Sequence, residues 1–221
     1  MNIIDKTNYI DFGLPFLVAD RNIGASAPED YGLFVSEALL DGRLPTSQGY
    51  AVQHRMGLNG APKIIMRSIS EVLQDVGLQL LKIPTEEQMT LLLRNSEWRY
   101  DAARKGYTLI SRINGAEVFF PAAGYYTSSA QYRMAFHQTM YERLSITGDR
   151  RDALLVEDEA VMHGGISPVP CGRFLLRKTY NRFAAIGWTG GTPVLQMCGS
   201  EVRVVTKPDD IWMPIRTVLC T

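Results

Sequence analysis

The spacing of apolar residues predicts two helices in the first half of the chain. Between residues 68 and 81, apolar side chains recur every three or four positions, which is typical of one helix face. A second helix is predicted from Thr85 to Asn95, where Thr85 and Gln88 have the spacing of a capping box. Its inward stripe consists of Met89, Leu92 and Leu93.

Two runs rich in β-branched and aromatic residues flank the pair Asn114-Gly115 and predict a β-hairpin. The first run covers residues 106–113, and the second covers residues 116–120 and ends at Pro121. Asn-Gly is a strong hairpin signal because a two-residue turn needs positive φ at both central positions. We therefore expect residues 108–120 to fold back on themselves.

Other short strands are predicted at the start of the chain and through its second half. They cover residues 9–15, 18–25, 151–157, 173–179, 183–188, 193–198, 201–205 and 215–219. Residues 41–62 contain four glycines and two prolines, and they predict a long irregular excursion. With helices early and strands late, the pattern favours the α+β class over an alternating parallel sheet.

Composition and charge limit which classes of partner are expected to bind the chain. The chain has 221 residues, 46% of them hydrophobic and 21% charged, which is an ordinary globular composition. Its 23 basic and 23 acidic residues balance, so no broad basic field favours nucleic acid or an anionic membrane. The first six residues are not an apolar leader, and no apolar run reaches the length of a membrane span. We expect synthesis in a cytoplasm without membrane insertion.

Three blocks, in order along the first 125 residues, carry a family resemblance. The first comprises residues 9–15, 22–25 and 28–32, and the second comprises residues 83–87 with Leu91, Leu92, Asn95 and Trp98. The third is Val118-Phe119-Phe120-Pro121-Ala122-Ala123-Gly124-Tyr125, and a shorter match covers residues 213–218. Together they resemble the Fibrobacter succinogenes major paralogous domain.

The resemblance implies a C-type-lectin-like fold, with two helices packed on a small antiparallel sheet, termini that meet, and long loops. We expect a single such domain over residues 1–221, with a divergent second half from about residue 126. The sequence departs from the family after Tyr125, where Thr127-Ser128-Ser129 follows instead of the usual aromatic element. Family members are usually exported or lipid-anchored.

Five aromatic residues form the candidate contact surface for a protein or a sugar. They are Tyr125, Tyr126, Tyr132, Trp188 and Trp212. Tyrosine and tryptophan suit this role because they supply a large contact area at a small entropic cost. The alternative is that Trp188 and Trp212 belong to the core, since tryptophan is on average highly buried.

The sequence favours no catalytic, cofactor or metal site. A calcium-dependent sugar site needs oxygen ligands for which Lys207-Pro208-Asp209-Asp210 is the nearest approach, and a turn explains that motif as well. Cys171, Cys198 and Cys220 form no CxxC pair, which argues against a disulfide framework or a zinc site. His163 follows three acidic residues, 157–159, whose side chains should point in different directions.

These observations favour a non-enzymatic structural or binding module. We expect a bacteriophage virion protein, such as a fibre, decoration or tail component, which contacts other virion proteins or a host-surface receptor and forms a homo-oligomer. The alternative is a bacterial surface adhesin or pilus-associated subunit that binds glycan or protein at the cell surface. A third possibility is an enzyme with an unrecognised site, which would show polar side chains converging in one pocket.

Overall fold

The computed structural model of this chain consists mainly of antiparallel β-structure. It describes residues 8–35, 50–56, 62–68, 70–72, 74–75, 82–128, 141–144, 153–156, 158–162, 166–177, 192–198, 201–207 and 212–221. For some strand residues it describes the backbone alone. Within these ranges the strands form small sheets of three or four members, and every strand pairing is antiparallel.

The described strands are distributed along the whole chain. They are β1 (Tyr9–Asp11), β2 (Phe16–Asn22), β3 (Gly32–Val35), β4 (Tyr50–Met56), β5 (Pro62–Ser68), β6 (Ser96–Asp101), β7 (Gly106–Ser111), β8 (Glu117–Pro121), β9 (Tyr125–Ser128), β10 (Tyr141–Leu144), β11 (Ala153–Val156), β12 (Asp158–Met162), β13 (Ile166–Leu175), β14 (Thr192–Cys198), β15 (Glu201–Lys207), β16 (Met213–Pro214) and β17 (Arg216–Cys220). Helix α1 is Glu86–Arg94. Residues 70–72 and 74–75 are also helical, within the predicted first helix.

The strands are arranged in sheets that join distant parts of the chain. The sheet orders are β1-β2-β17, β16-β3-β4-β5, β6-β7-β8, β10-β11-β9 and β12-β13-β14-β15. β1 and β17 flank β2, where Asp11 and Leu219 both pair with Leu17. The first and last of the described strands therefore share one sheet.

The predicted α+β, C-type-lectin-like class is wrong, because the protein is mostly β-sheet and is not built as two helices packed on one small sheet. β4 and β5 pair as a hairpin in the region where an irregular excursion was predicted. The four glycines of that stretch lie outside the described residues. Polar residues in β4 hide the alternation that identifies a strand.

Helix α1 confirms the second helix prediction. The Thr85 hydroxyl accepts from the Gln88 N–H at 3.2 Å, and the Gln88 side chain accepts from the Thr85 N–H at 2.9 Å. Met89 and Leu92 are buried against the core, and Asn95 caps the end of the helix. Local capping and an apolar stripe suffice to define this element.

Replacing Thr85 with alanine should lower the free energy of unfolding by about 1 kcal/mol, because the Gln88 N–H loses its acceptor. Urea denaturation measures this loss. Thr90→Ala in the middle of the same helix is the matched control, and it should be close to neutral since alanine favours helix. Equal losses in the two variants would contradict the capping role.

The predicted hairpin is confirmed, but its turn is longer than Asn-Gly alone predicts. β7 and β8 pair over Gly106–Ile110 and Glu117–Pro121, and the Ser111 N–H donates to the Ala116 carbonyl at 2.8 Å. Gly115 has a positive φ of 75°, but Asn114 does not, because Lys105 is the only non-glycine with positive φ among the described residues. The Ser111 hydroxyl accepts from the Ile113 N–H at 3.1 Å, which stabilises the wider turn.

The described apolar side chains form two core clusters. In the first, Met89 and Leu92 of α1 pack with buried side chains from six strands; these include Val18, Tyr107, Phe120, Phe174, Leu195 and Val218. The second includes Ile23, Val35, Val72, Leu175, Val194 and Met213. Since β13 and β14 contribute side chains to both clusters, their packing links the sheets.

A buried arginine lies between two of these sheets. Arg216 is only 1% exposed, and its two terminal nitrogens donate to the carbonyls of Ala19, at 3.0 Å, and Phe119, at 2.9 Å. Its guanidinium carbon also lies 4.5 Å from the centre of the Phe120 ring. Arg216 therefore joins β17 to both β2 and β8.

Burial lowers the pKa of Arg216 from its ordinary value to about 9, and the negative charge of Asp20 opposes this shift. The guanidinium thus remains charged at neutral pH. For Asp20, burial acts to raise the pKa, but hydrogen bonds and charge from Arg21, with hydrogen bonds from Asn8, outweigh it and leave the pKa below 3.8. The core therefore holds a full positive charge whose two terminal nitrogens donate to carbonyl oxygens, whereas its Nε is buried without a hydrogen-bond partner.

Candidate contact surface

Tyr125, the first residue of the predicted contact surface, is half-buried, and an arginine of the same chain stacks on its ring. Tyr125 begins β9, and the guanidinium carbon of Arg173 lies 3.7 Å from its ring centre. The bridge between Gly124 and Gly172 brings these two segments together. Part of the Tyr125 ring therefore stabilises the fold.

The segment that contains Trp212 adjoins the strand that begins at Tyr125. Trp212 is half-buried and directly precedes β16, which contacts β9. Tyr126 is in β9 and pairs with Leu155, but only its backbone is described. Tyr132 and Trp188 lie outside the described residues. The structure thus brings together the segments of Tyr125 and Trp212, and the remainder of the predicted surface stays a prediction.

A different set of aromatic residues is held at the edge of a sheet, and we name Trp98, Tyr100 and Tyr107 the aromatic edge. Tyr107 is fully buried, and its ring centre lies 5.2 Å from that of Tyr100 and 5.9 Å from that of Trp98. Tyr100 remains 39% exposed. Buried Tyr107 therefore supports two rings that reach the surface.

Trp98 and Tyr100 of the aromatic edge lie on β6, which pairs only with β7 among the described strands, and Tyr107 lies on β7. Tyr100 is opposite Tyr107 and Trp98 is opposite Leu109, so the two β6 aromatics share one face. The signal for this in the sequence was the alternation Trp98-Arg99-Tyr100. Sequence reasoning used Trp98 only for the family resemblance and did not recognise Tyr100 as part of a surface.

Charged side chains occupy the other face of β6. Glu97 and Arg99 form an exposed ion pair with a nitrogen–oxygen distance of 2.9 Å. Such a pair contributes little to stability because water screens it. Charges on an edge strand discourage nonspecific pairing with other strands. We therefore expect a partner to contact β6 mainly through its aromatic face.

The turn after β6 is held to the rest of the protein by Arg104. Its Nε donates to a Glu29 carboxylate oxygen at 3.0 Å, and its guanidinium carbon lies 3.8 Å from the Phe119 ring centre. Asp101 accepts from the N–H groups of Ala103 and Arg104 at 3.0 and 3.1 Å. These contacts fix the end of β6 where Tyr100 is located.

Two of the three cysteines lie closer in the fold than their sequence spacing suggests. Cys171 and Cys198 are opposite residues in the β13–β14 pairing. The Cys198 side chain is buried, and the Cys220 side chain is exposed. In the part of the chain that the structure describes, no group of three or more His, Cys, Asp or Glu side chains could hold a metal ion. Residues 157, 163 and 208–210 lie outside it.

Comparison of the chain with protein-family models, with curated proteins and with solved structures gave no match. None of the helices in the described ranges has the length and apolar character needed to cross a membrane.

Proposed function

We propose that this chain is a non-enzymatic structural or binding module that works as a bacteriophage virion component, such as a fibre, decoration or tail protein. The aromatic edge is the observation that best supports a contact role. Tyr100 and Trp98 offer ring surface to a partner while buried Tyr107 holds them in place. Rings held in position lose little entropy on binding, so more of their contact energy remains as affinity.

Support for the virion setting comes from the sequence. The family that the first 125 residues resemble suggests a display role, although the fold it implied is corrected above. The balanced charge of 23 acidic and 23 basic residues suits contacts with proteins better than contacts with nucleic acid. We therefore propose neighbouring virion proteins, or a receptor on the host surface, as partners of the aromatic edge.

Tyr100→Ala should reduce incorporation of the chain into particles by at least about tenfold, because truncating an aromatic hot spot of an interface costs about 2 kcal/mol or more. The measurement is the amount of tagged chain that co-sediments with particles in a density gradient. Ile113→Ala is the control, since Ile113 is 54% exposed but lies in the β7–β8 turn. A thermal melt verifies that both variants fold.

Two results would overturn the proposal. If the wild-type chain is found in the cell envelope fraction, the protein is a surface adhesin. If it is incorporated but Tyr100→Ala and Ile113→Ala behave alike, the aromatic edge is not the contact.

A further inference from the structure

The exposed face of α1 has a charge pattern that complements a second copy of itself. Glu86 and Glu87 lie in its first turn, Arg94 lies in its last turn, and Leu91 is between them. Leu91 is 37% exposed, although Met89 and Leu92 of the same helix are buried. A hollow of about 560 Å³ runs along this face and is lined by Glu86, Glu87, Thr90, Leu91 and Arg94.

We propose that two copies of this chain associate through α1 in an antiparallel arrangement about a twofold axis. Residues Glu87, Leu91 and Arg94 follow one another at intervals of four and three, so they form one stripe on the helix. When the two copies of α1 pack antiparallel, the acidic first turn of one copy lies opposite Arg94 of the other. Leu91 then meets its counterpart near the axis, as an isologous contact requires.

Further exposed surface adjoins this stripe. The Gln88 side-chain nitrogen lies 3.6 Å from the Cys220 sulfur, which brings the end of β17 beside α1. Leu219, the preceding residue, is 38% exposed. A nine-residue helix is only about 14 Å long, so the contact is small and the dimer is weak, with Kd on the order of 100 µM.

Charge reversal tests this arrangement by sedimentation equilibrium. Glu87→Arg and Arg94→Glu should each raise the dimer Kd about tenfold or more, because the twofold axis creates every like-charge contact twice. The double variant should return Kd to within about threefold of wild type, since its charges again complement each other. Leu91→Glu should also weaken the dimer by opposing two carboxylates near the axis.

The matched control is the exposed pair on β6, Glu97→Arg with Arg99→Glu, which should leave Kd unchanged. The double variant on α1 also separates association from helix stability, because it opposes the helix dipole more than either single change while restoring the dimer. A thermal melt of each variant records that difference.

A chain that remains monomeric up to about 1 mM would overturn the proposal. So would a dimer unaffected by the single reversals, or one that the double variant fails to restore. This association is separate from the virion role, so failure of either test leaves the other proposal standing.

Discussion

Arg216→Met should lower the free energy of unfolding by about 3 kcal/mol, one of the two largest losses that we expect from a single substitution. The change removes the donors to the buried carbonyls of Ala19 and Phe119, and each orphaned group costs about 1–3 kcal/mol. Relief from burying a charge offsets part of that loss. Urea denaturation followed by circular dichroism measures the difference.

Arg216→Lys should recover little of the stability, because one ammonium group cannot reproduce the two divergent donors of a guanidinium. Arg99→Met is the control for losing an arginine, and it should change stability by less than about 0.5 kcal/mol because Arg99 is exposed. If Arg216→Met unfolds at the wild-type urea concentration, the two carbonyl contacts do not hold the sheets together.

Gly32→Ala should lower the free energy of unfolding by about 3 kcal/mol, whereas Gly115→Ala should lower it by about 1 kcal/mol. Both glycines have φ of 75°, so both variants incur the same backbone strain. They differ in space, because a Cβ on Gly32 would collide with the Ile23 carbonyl oxygen, whereas nothing lies within 4 Å of one on Gly115.

The Ile23 carbonyl cannot move away easily, since it accepts the Leu33 N–H at 2.8 Å. The difference between the two variants therefore measures the close approach of the chain at Gly32, with the conformational penalty cancelled. Urea denaturation of both proteins gives it directly. Equal losses would mean that the segment before β3 is less tightly packed than the structure indicates.

Local signals were sufficient where an element depends on neighbouring residues. The capping box at Thr85 and the stripe of Met89 and Leu92 defined α1 within a residue at either end. The β7–β8 hairpin followed from Asn114-Gly115, although the Ser111 side chain lengthens its turn. Both depend on contacts a few residues apart, which the sequence encodes directly.

The fold class could not be predicted in the same way, because its defining pairings join distant residues. Val218 of β17 pairs with Val18 of β2, and nothing in the local pattern of either strand specifies the other. The role of Arg216 has the same origin, since its partners Ala19 and Phe119 lie far away in sequence. An arginine in an apolar segment does not by itself reveal which carbonyls it will bind.

The candidate surface was predicted only by residue type. The segments of Tyr125 and Trp212 adjoin in the fold, and the Arg173 stack on Tyr125 depends on a strand pairing that residue type does not reveal. Tyr100 was missed because Arg99, Asp101 and Glu97 make β6 look like a polar loop. Its exposure above Tyr107 becomes visible only when β6 is paired with β7.

Electron cryo-microscopy of the native particle tests the central claim, which is that this chain acts by contact within a larger assembly. The account predicts repeated copies of a mainly antiparallel β protein, with Tyr100 and Trp98 of each copy buried against a neighbouring chain or forming the outermost receptor-facing surface. Particles that lack the chain, or copies in which another face makes every contact while β6 points into empty interior solvent, would contradict it.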